Sequence, residues 1–189
     1  MAVILRFREF ILNTTISRAF LVATLAAVAC NAHALDGLSA EVGSGNKSDF
    51  VRVGAQWNTP SRWFQSEGRH LGVYWEGTLM QIRGKAHGGR DARQGILVIG
   101  ATPVFRYAAD DGLGLYAEGG VGAHYFSERY DNNRRTFTSH FQFGDHIGVG
   151  YVRSDGWDIA LKFQHFSNGG YKRPNPGVNF MVLKAGLRF

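Results

Sequence analysis

Residues of one chemical character return at every second position through almost all of the chain beyond residue 35, the spacing of a strand with two unlike faces. The last segment shows it most plainly. Met181, Leu183, Ala185, Leu187 and Phe189 share one parity, while Lys184, Gly186 and Arg188 share the other. Eight such runs are expected, at about 36–44, 49–57, 69–83, 95–107, 113–126, 139–153, 156–166 and 177–189. Segments rich in Gly, Asn, Asp, Ser and Arg separate them, and none has a helical period.

A strand that crosses a bilayer needs about 9 to 11 residues, and eight strands make the smallest common outer-membrane barrel. The pattern therefore predicts an all-β fold, an eight-stranded antiparallel transmembrane β-barrel with its apolar parity toward lipid. A soluble lipocalin-like barrel is the alternative; it would reverse the faces and put the charges outside. The alternating run that closes on Phe189 is similar to the terminal signature of bacterial outer-membrane barrels.

The first 34 residues follow a different rule. Arg6, Arg8 and Arg18 precede an apolar run from Ala19 to Cys30, and Ala32-His33-Ala34 follows it, the order of an export signal with a small-residue cleavage site. The run is shorter than the roughly 20 residues a spanning helix needs. Residues 1–34 are therefore expected to be a signal peptide and 35–189 the outer-membrane β-barrel. Cys30 is the only cysteine, so the mature chain is expected to carry neither disulfide nor thiol chemistry. It keeps 18 basic and 14 acidic residues, a formal charge of +4. In an exported chain that balance favours an anionic lipid surface over nucleic acid as partner.

With both termini on the periplasmic side, the extracellular loops fall near 45–48, 84–94, 127–138 and 167–176. Three of them are long and basic, with Lys85, Arg90 and Arg93; Arg129, Arg134 and Arg135; and Lys172 with Arg173. The turns at Asp110-Asp111-Gly112 and Ser154-Asp155-Gly156 are short, as periplasmic turns of such barrels are. The connection at 58–68 is longer than this rule predicts, and Trp63 and Phe64 suit an interfacial aromatic girdle.

The stretch from Gln164 to Gly177 carries the candidate chemistry. His165 and Ser167 lie two apart, so they share a face with Trp157, Ile159, Leu161 and Phe163, opposite Asp158, Lys162 and Gln164. Both should point outward, at the level of the outer leaflet. A neutral imidazole beside a hydroxyl can take its proton during attack on an ester carbonyl and return it to the leaving alcohol. A headgroup-solvated histidine is the plain alternative. Six histidines follow residue 34 without a metal-ligand spacing, so no metal and no cofactor are expected.

These residues resemble the lipid A 3-O-deacylases of the PagL type. The resemblance rests on His165-x-Ser167-Asn168-x-Gly170 and Pro174-Asn175-x-Gly177. It extends through Ser61-Arg62-Trp63, Gly72-x-Tyr74-Trp75, Ala101-Thr102-Pro103-Val104-Phe105, Ala117-Glu118-Gly119-Gly120-Val121-Gly122 and Phe143-Gly144-Asp145-His146-Ile147-Gly148. It implies an outer-membrane esterase acting on the 3-O-linked hydroxyacyl chain of lipid A in lipopolysaccharide, with Ser167 as nucleophile and His165 as base. Asn168 and Asn175 are implied oxyanion donors, although Asn175 is equally suited to bracing the proline turn. Phe143 is implied as site support, and Lys172 and Arg173 are candidates for the substrate phosphates.

One departure stands out. The family places a Glu just after Pro-Asn-x-Gly, where this chain has Val178 and Asn179. Asn179 can orient His165 but brings no charge, and Asp145 on the neighbouring strand is the alternative. Two further functions remain open at this stage, a non-enzymatic structural or adhesive barrel with a degenerate site, and an acyltransferase that adds a chain. The sequence is compatible with a homodimer without requiring one.

Overall fold

The computed structural model describes residues 35–85 and 94–189. The expected signal peptide at 1–34, and Arg90 and Arg93 of the first long loop, lie outside the described residues.

Eight long strands form: β1 (Gly37–Gly45), β2 (Ser48–Asn58), β4 (Arg69–Gly84), β5 (Gly95–Ala109), β6 (Gly114–Phe126), β9 (Phe141–Val152), β10 (Trp157–Ser167) and β11 (Val178–Arg188). Three short ones, β3 (Trp63–Ser66), β7 (Asp131–Asn132) and β8 (Arg135–Thr136), lie in the connections. Each long strand begins and ends within two residues of its expected span. All pairings are antiparallel, and the pairings of β1 with β11 and of β2 with β4 close the sheet into a barrel without a long free edge.

Parity behaves as the alternation requires. Leu115, Val121, Ile147, Val149, Leu161 and Leu183 stand outward and exposed, as a lipid-facing surface demands. Glu41, Arg52, Glu76, Arg106, Glu118, Asp158, Lys162 and Lys184 all point inward, and none is more than 7% exposed. This distribution rules out the lipocalin-like alternative.

An eight-stranded lumen is only wide enough to be filled by side chains, so four acids and four bases must pair there or remain costly buried charges. They pair. Lys162 Nζ reaches Glu41 at 3.0 Å, Glu118 at 3.7 Å and Glu76 at 3.8 Å. Arg106 donates to Glu118 at 2.8 Å and Asp158 at 3.1 Å, Lys184 donates to Asp158 at 3.1 Å, and Arg52 pairs with Glu41. Inward glycines make the room: a Cβ on Gly148 would sit 2.9 Å from Lys162 Cγ.

Above this network, toward the long loops, the lumen turns apolar. Phe50, Met80, Ile82, Ile96, Val98, Phe126, Phe166 and Phe180 form a plug completed by Tyr130 and Phe137 from the connection between β6 and β9. Edge-to-face contacts join Phe126 to Phe137 and Phe166 at 5.5 Å and Phe50 to Phe180 at 5.2 Å. The inward parity is thus apolar in the upper part of the barrel and charged below it.

The long 58–68 connection also finds its reason. β3 folds back onto the start of β4, pairing Trp63 with Leu71 and Ser66 with Arg69. Trp63 packs over the outward ring of Phe105 with centroids 6.2 Å apart.

Candidate active site

His165 and Ser167 close the outward face of β10, each half-buried. The register sets their neighbours: His165 lies opposite Asn179 on β11 and Asp145 on β9, and Ser167 lies opposite Phe143. Of the two candidate orienting groups, Asn179 is the one bonded to the imidazole, with His165 Nδ1 and Asn179 Oδ1 2.5 Å apart. An amide oxygen can only accept, so Nδ1 carries the proton and Nε2 keeps its lone pair. Asp145 has the right position in the register, but its hydrogen bond runs from Gln164 Nε2 to its backbone carbonyl, at 3.0 Å.

Gly177 keeps the free edge of the imidazole open. A Cβ there would meet His165 Cε1 at 2.5 Å and Nε2 at 3.0 Å, and the residue has φ of +59°, a conformation that glycine adopts without strain. Ser167 Oγ and His165 Nε2 are not hydrogen-bonded to each other.

The loop after Ser167 is organised by Asn168, which is 1% exposed. Its Nδ2 donates to Lys172 O at 2.7 Å and Thr138 Oγ1 at 3.2 Å, and its Oδ1 accepts from Gly170 N at 2.9 Å. The Asn168 side chain is therefore engaged within the loop. Its backbone amide donates to Asn175 Oδ1 at 3.0 Å. That bond occupies the oxygen of Asn175 and leaves its Nδ2 as an uncommitted donor. Gly170, Arg173, Pro174 and Asn175 line an open groove beside it.

Phe143 lies against Gly169, whose Cβ would come within 3.2 Å of the ring, and packs edge-on against Phe141 at 5.1 Å. With Phe163, Met181 and Tyr171, all exposed, these rings make an apolar surround for a polar pair. Lys172 and Arg173 stand exposed on the same loop. Among the described residues no group of His, Cys, Asp and Glu is arranged to hold a metal ion.

A polar Ser/His pair on the lipid face of an eight-stranded barrel calls for comparison with known proteins. The family model described as lipid A 3-O-deacylase (PagL) matches residues 49–188. The chain belongs to the PagL family. The lipid A deacylase PagL of Bordetella bronchiseptica is 33% identical over 156 residues, covering 81% of this chain and 83% of that one. The enzyme of the same name from Pseudomonas aeruginosa is 30% identical over 148 residues, covering 77% and 82%. The crystal structure of the outer membrane enzyme PagL superimposes with a TM-score of 0.68 at 26% identity, covering 81% of this chain and 99% of that one.

As a PagL family member, this barrel is an outer-membrane enzyme that hydrolyses ester-linked acyl chains of lipid A. The structural and adhesive alternative, and the acyltransferase one, give way to that assignment. Two contributors to the site were not singled out in the sequence. Gly177 was visible only as part of a motif, and its closeness to His165 depends on where the chain re-enters β11. Thr138, one of several hydroxyls in a polar loop, carries no sequence signal at all.

Proposed function

We propose that this protein removes the 3-O-linked hydroxyacyl chain of lipid A through a Ser167 nucleophile and a His165 base. The hydrogen bond between His165 Nδ1 and Asn179 Oδ1 carries this reading, because it holds the imidazole in the tautomer whose Nε2 can accept a proton. Ser167 Oγ attacks the ester carbonyl carbon while His165 Nε2 takes its proton. The resulting oxyanion is met by Asn175 Nδ2, the donor that its loop leaves uncommitted. Collapse breaks the bond to the sugar oxygen, which leaves as an alcohol with the proton from His165. Water then attacks the acyl-serine, again giving its proton to His165, and the hydroxy acid departs as Ser167 regains its proton.

The surroundings favour this substrate geometry. The acyl chain lies along Phe143, Phe163 and Met181 on the lipid face, while Lys172 and Arg173 stand where lipid A phosphates would be. The long-loop end is then the extracellular one, and residues 1–34 are the export signal that delivers the barrel. Tandem mass spectrometry of lipid A treated with purified protein tests the regiochemistry. Loss of the 3-O-linked hydroxyacyl chain and release of one hydroxy acid are expected; loss of a chain from another position would refute the 3-O reading.

A further inference from the structure

The connection between β6 and β9 is anchored at one end and reaches the active-site loop at the other. Tyr130 and Phe137 sit in the apolar plug, each 1% exposed. Tyr130 Oη is bonded to Ser48 Oγ at 2.8 Å and accepts from Asn46 Nδ2 at 2.9 Å, and Asn132 Nδ2 donates to Lys47 O at 2.8 Å. The β7–β8 hairpin is therefore fixed both to the lumen and to the turn between β1 and β2.

From that base, Thr138 Oγ1 touches three groups of the 168–177 loop. It accepts from Asn168 Nδ2 at 3.2 Å and lies within donating distance of Lys172 O at 3.2 Å and Pro174 O at 3.3 Å. Arg135 Nη1 adds a fourth tie, donating to Pro176 O at 2.5 Å. Asn168, so held, presents its backbone N–H to Asn175 Oδ1 and thereby sets which way the Asn175 amide turns.

We infer that Thr138 is a positioning residue for catalysis, holding the 168–177 loop so that Ser167 and the Asn175 amide keep their places around the reacting ester. The inference rests on the Ser/His reading given above. Gly169 and Gly170, at φ of +66° and +83°, leave the start of this loop without the restriction that side chains impose on the backbone. The ties from Thr138 and Arg135 supply the rigidity that oxyanion stabilisation requires, since preorganised donors act only if they do not move.

The test is steady-state kinetics of full-length protein in detergent with lipid A as substrate, on variants that keep the shifted electrophoretic mobility of a folded barrel before boiling. Thr138→Val should lower kcat about tenfold, the scale of one or two lost hydrogen bonds, with KM unchanged. Thr138→Ser, which keeps the hydroxyl, should restore kcat. Thr136→Val removes a hydroxyl from the same hairpin that, among the described residues, bonds Asp131 at 2.9 Å, and should behave as wild type. Wild-type kcat in Thr138→Val, or an equal fall in Thr136→Val, would overturn the inference. Should Thr138→Val fail to fold, Arg135→Gln is read in its place, and wild-type kcat there would overturn it. Ser167→Ala serves as the reference: if it retains activity, the nucleophile assignment fails and the positioning role falls with it.

Discussion

His165 and Asn179 face each other across β10 and β11 with Nδ1 and Oδ1 2.5 Å apart, an amide standing where the family resemblance implies a carboxylate. The amide fixes the tautomer but leaves the imidazolium of the transition state without a countercharge. A hydrogen bond to a charged partner exceeds a neutral one by roughly 1 to 1.5 kcal/mol. Asn179→Glu should therefore raise kcat by about tenfold, and Asn179→Ala should lower it. Steady-state rates on lipid A decide this; a glutamate variant slower than wild type would contradict it.

Gly177 is the neighbour that keeps the other edge of the same imidazole clear. Gly177→Ala would place a methyl 2.5 Å from His165 Cε1 at a φ of +59°. The imidazole must shift, and misplacement of about 1 Å can cost roughly a hundredfold in rate. The barrel should still fold, because β11 begins only at Val178. The loss should appear in kcat, with the folded electrophoretic band retained.

The lumen gives a prediction on stability that is independent of the site. Lys162 is fully buried among Glu41, Glu76 and Glu118. Lys162→Met leaves those carboxylates short of one cation, and breaking a buried pair typically costs about 3 to 5 kcal/mol. Denaturant unfolding in lipid vesicles should register a loss of this size. Folded molecules should keep their activity, since Lys162 and the His165/Ser167 pair occupy opposite faces of β10.

Much of this architecture could be read from alternation alone. Strand ends and the inward or outward direction of nearly every residue follow from a period of two, because a barrel allows a side chain only those two directions. Height along the barrel does not follow from it. The apolar plug is not legible in the sequence because Phe50, Phe126, Phe166 and Phe180 have the same inward parity as the charges below them, and only strand stagger brings them to one level. Nor is β3, because four residues are too few to show a period. At the site, parity placed His165 and Ser167 together, cross-strand register set both Asn179 and Asp145 opposite His165, and the hydrogen bond at Nδ1 singled out Asn179. The bracing role of Asn168 depends on bonds to Thr138 and Lys172, contacts set by loop conformation.

Lys172 and Arg173 lead to a prediction about the substrate headgroup. A cation near an anionic lipid surface contributes about 1 kcal/mol, so replacing both by alanine should raise KM for lipid A by roughly 30-fold at low salt. The increase should shrink as salt rises and disappear with lipid A stripped of its phosphates. A KM difference that persists on the dephosphorylated substrate would assign these residues another role.

Everything proposed for the site turns on Ser167 as the nucleophile. Mass spectrometry of lipid A from outer membranes carrying either the wild-type chain or Ser167→Ala tests it most directly. Lipid A should lose one hydroxyacyl chain with wild type and stay fully acylated with the variant. Equal deacylation by both proteins would contradict it.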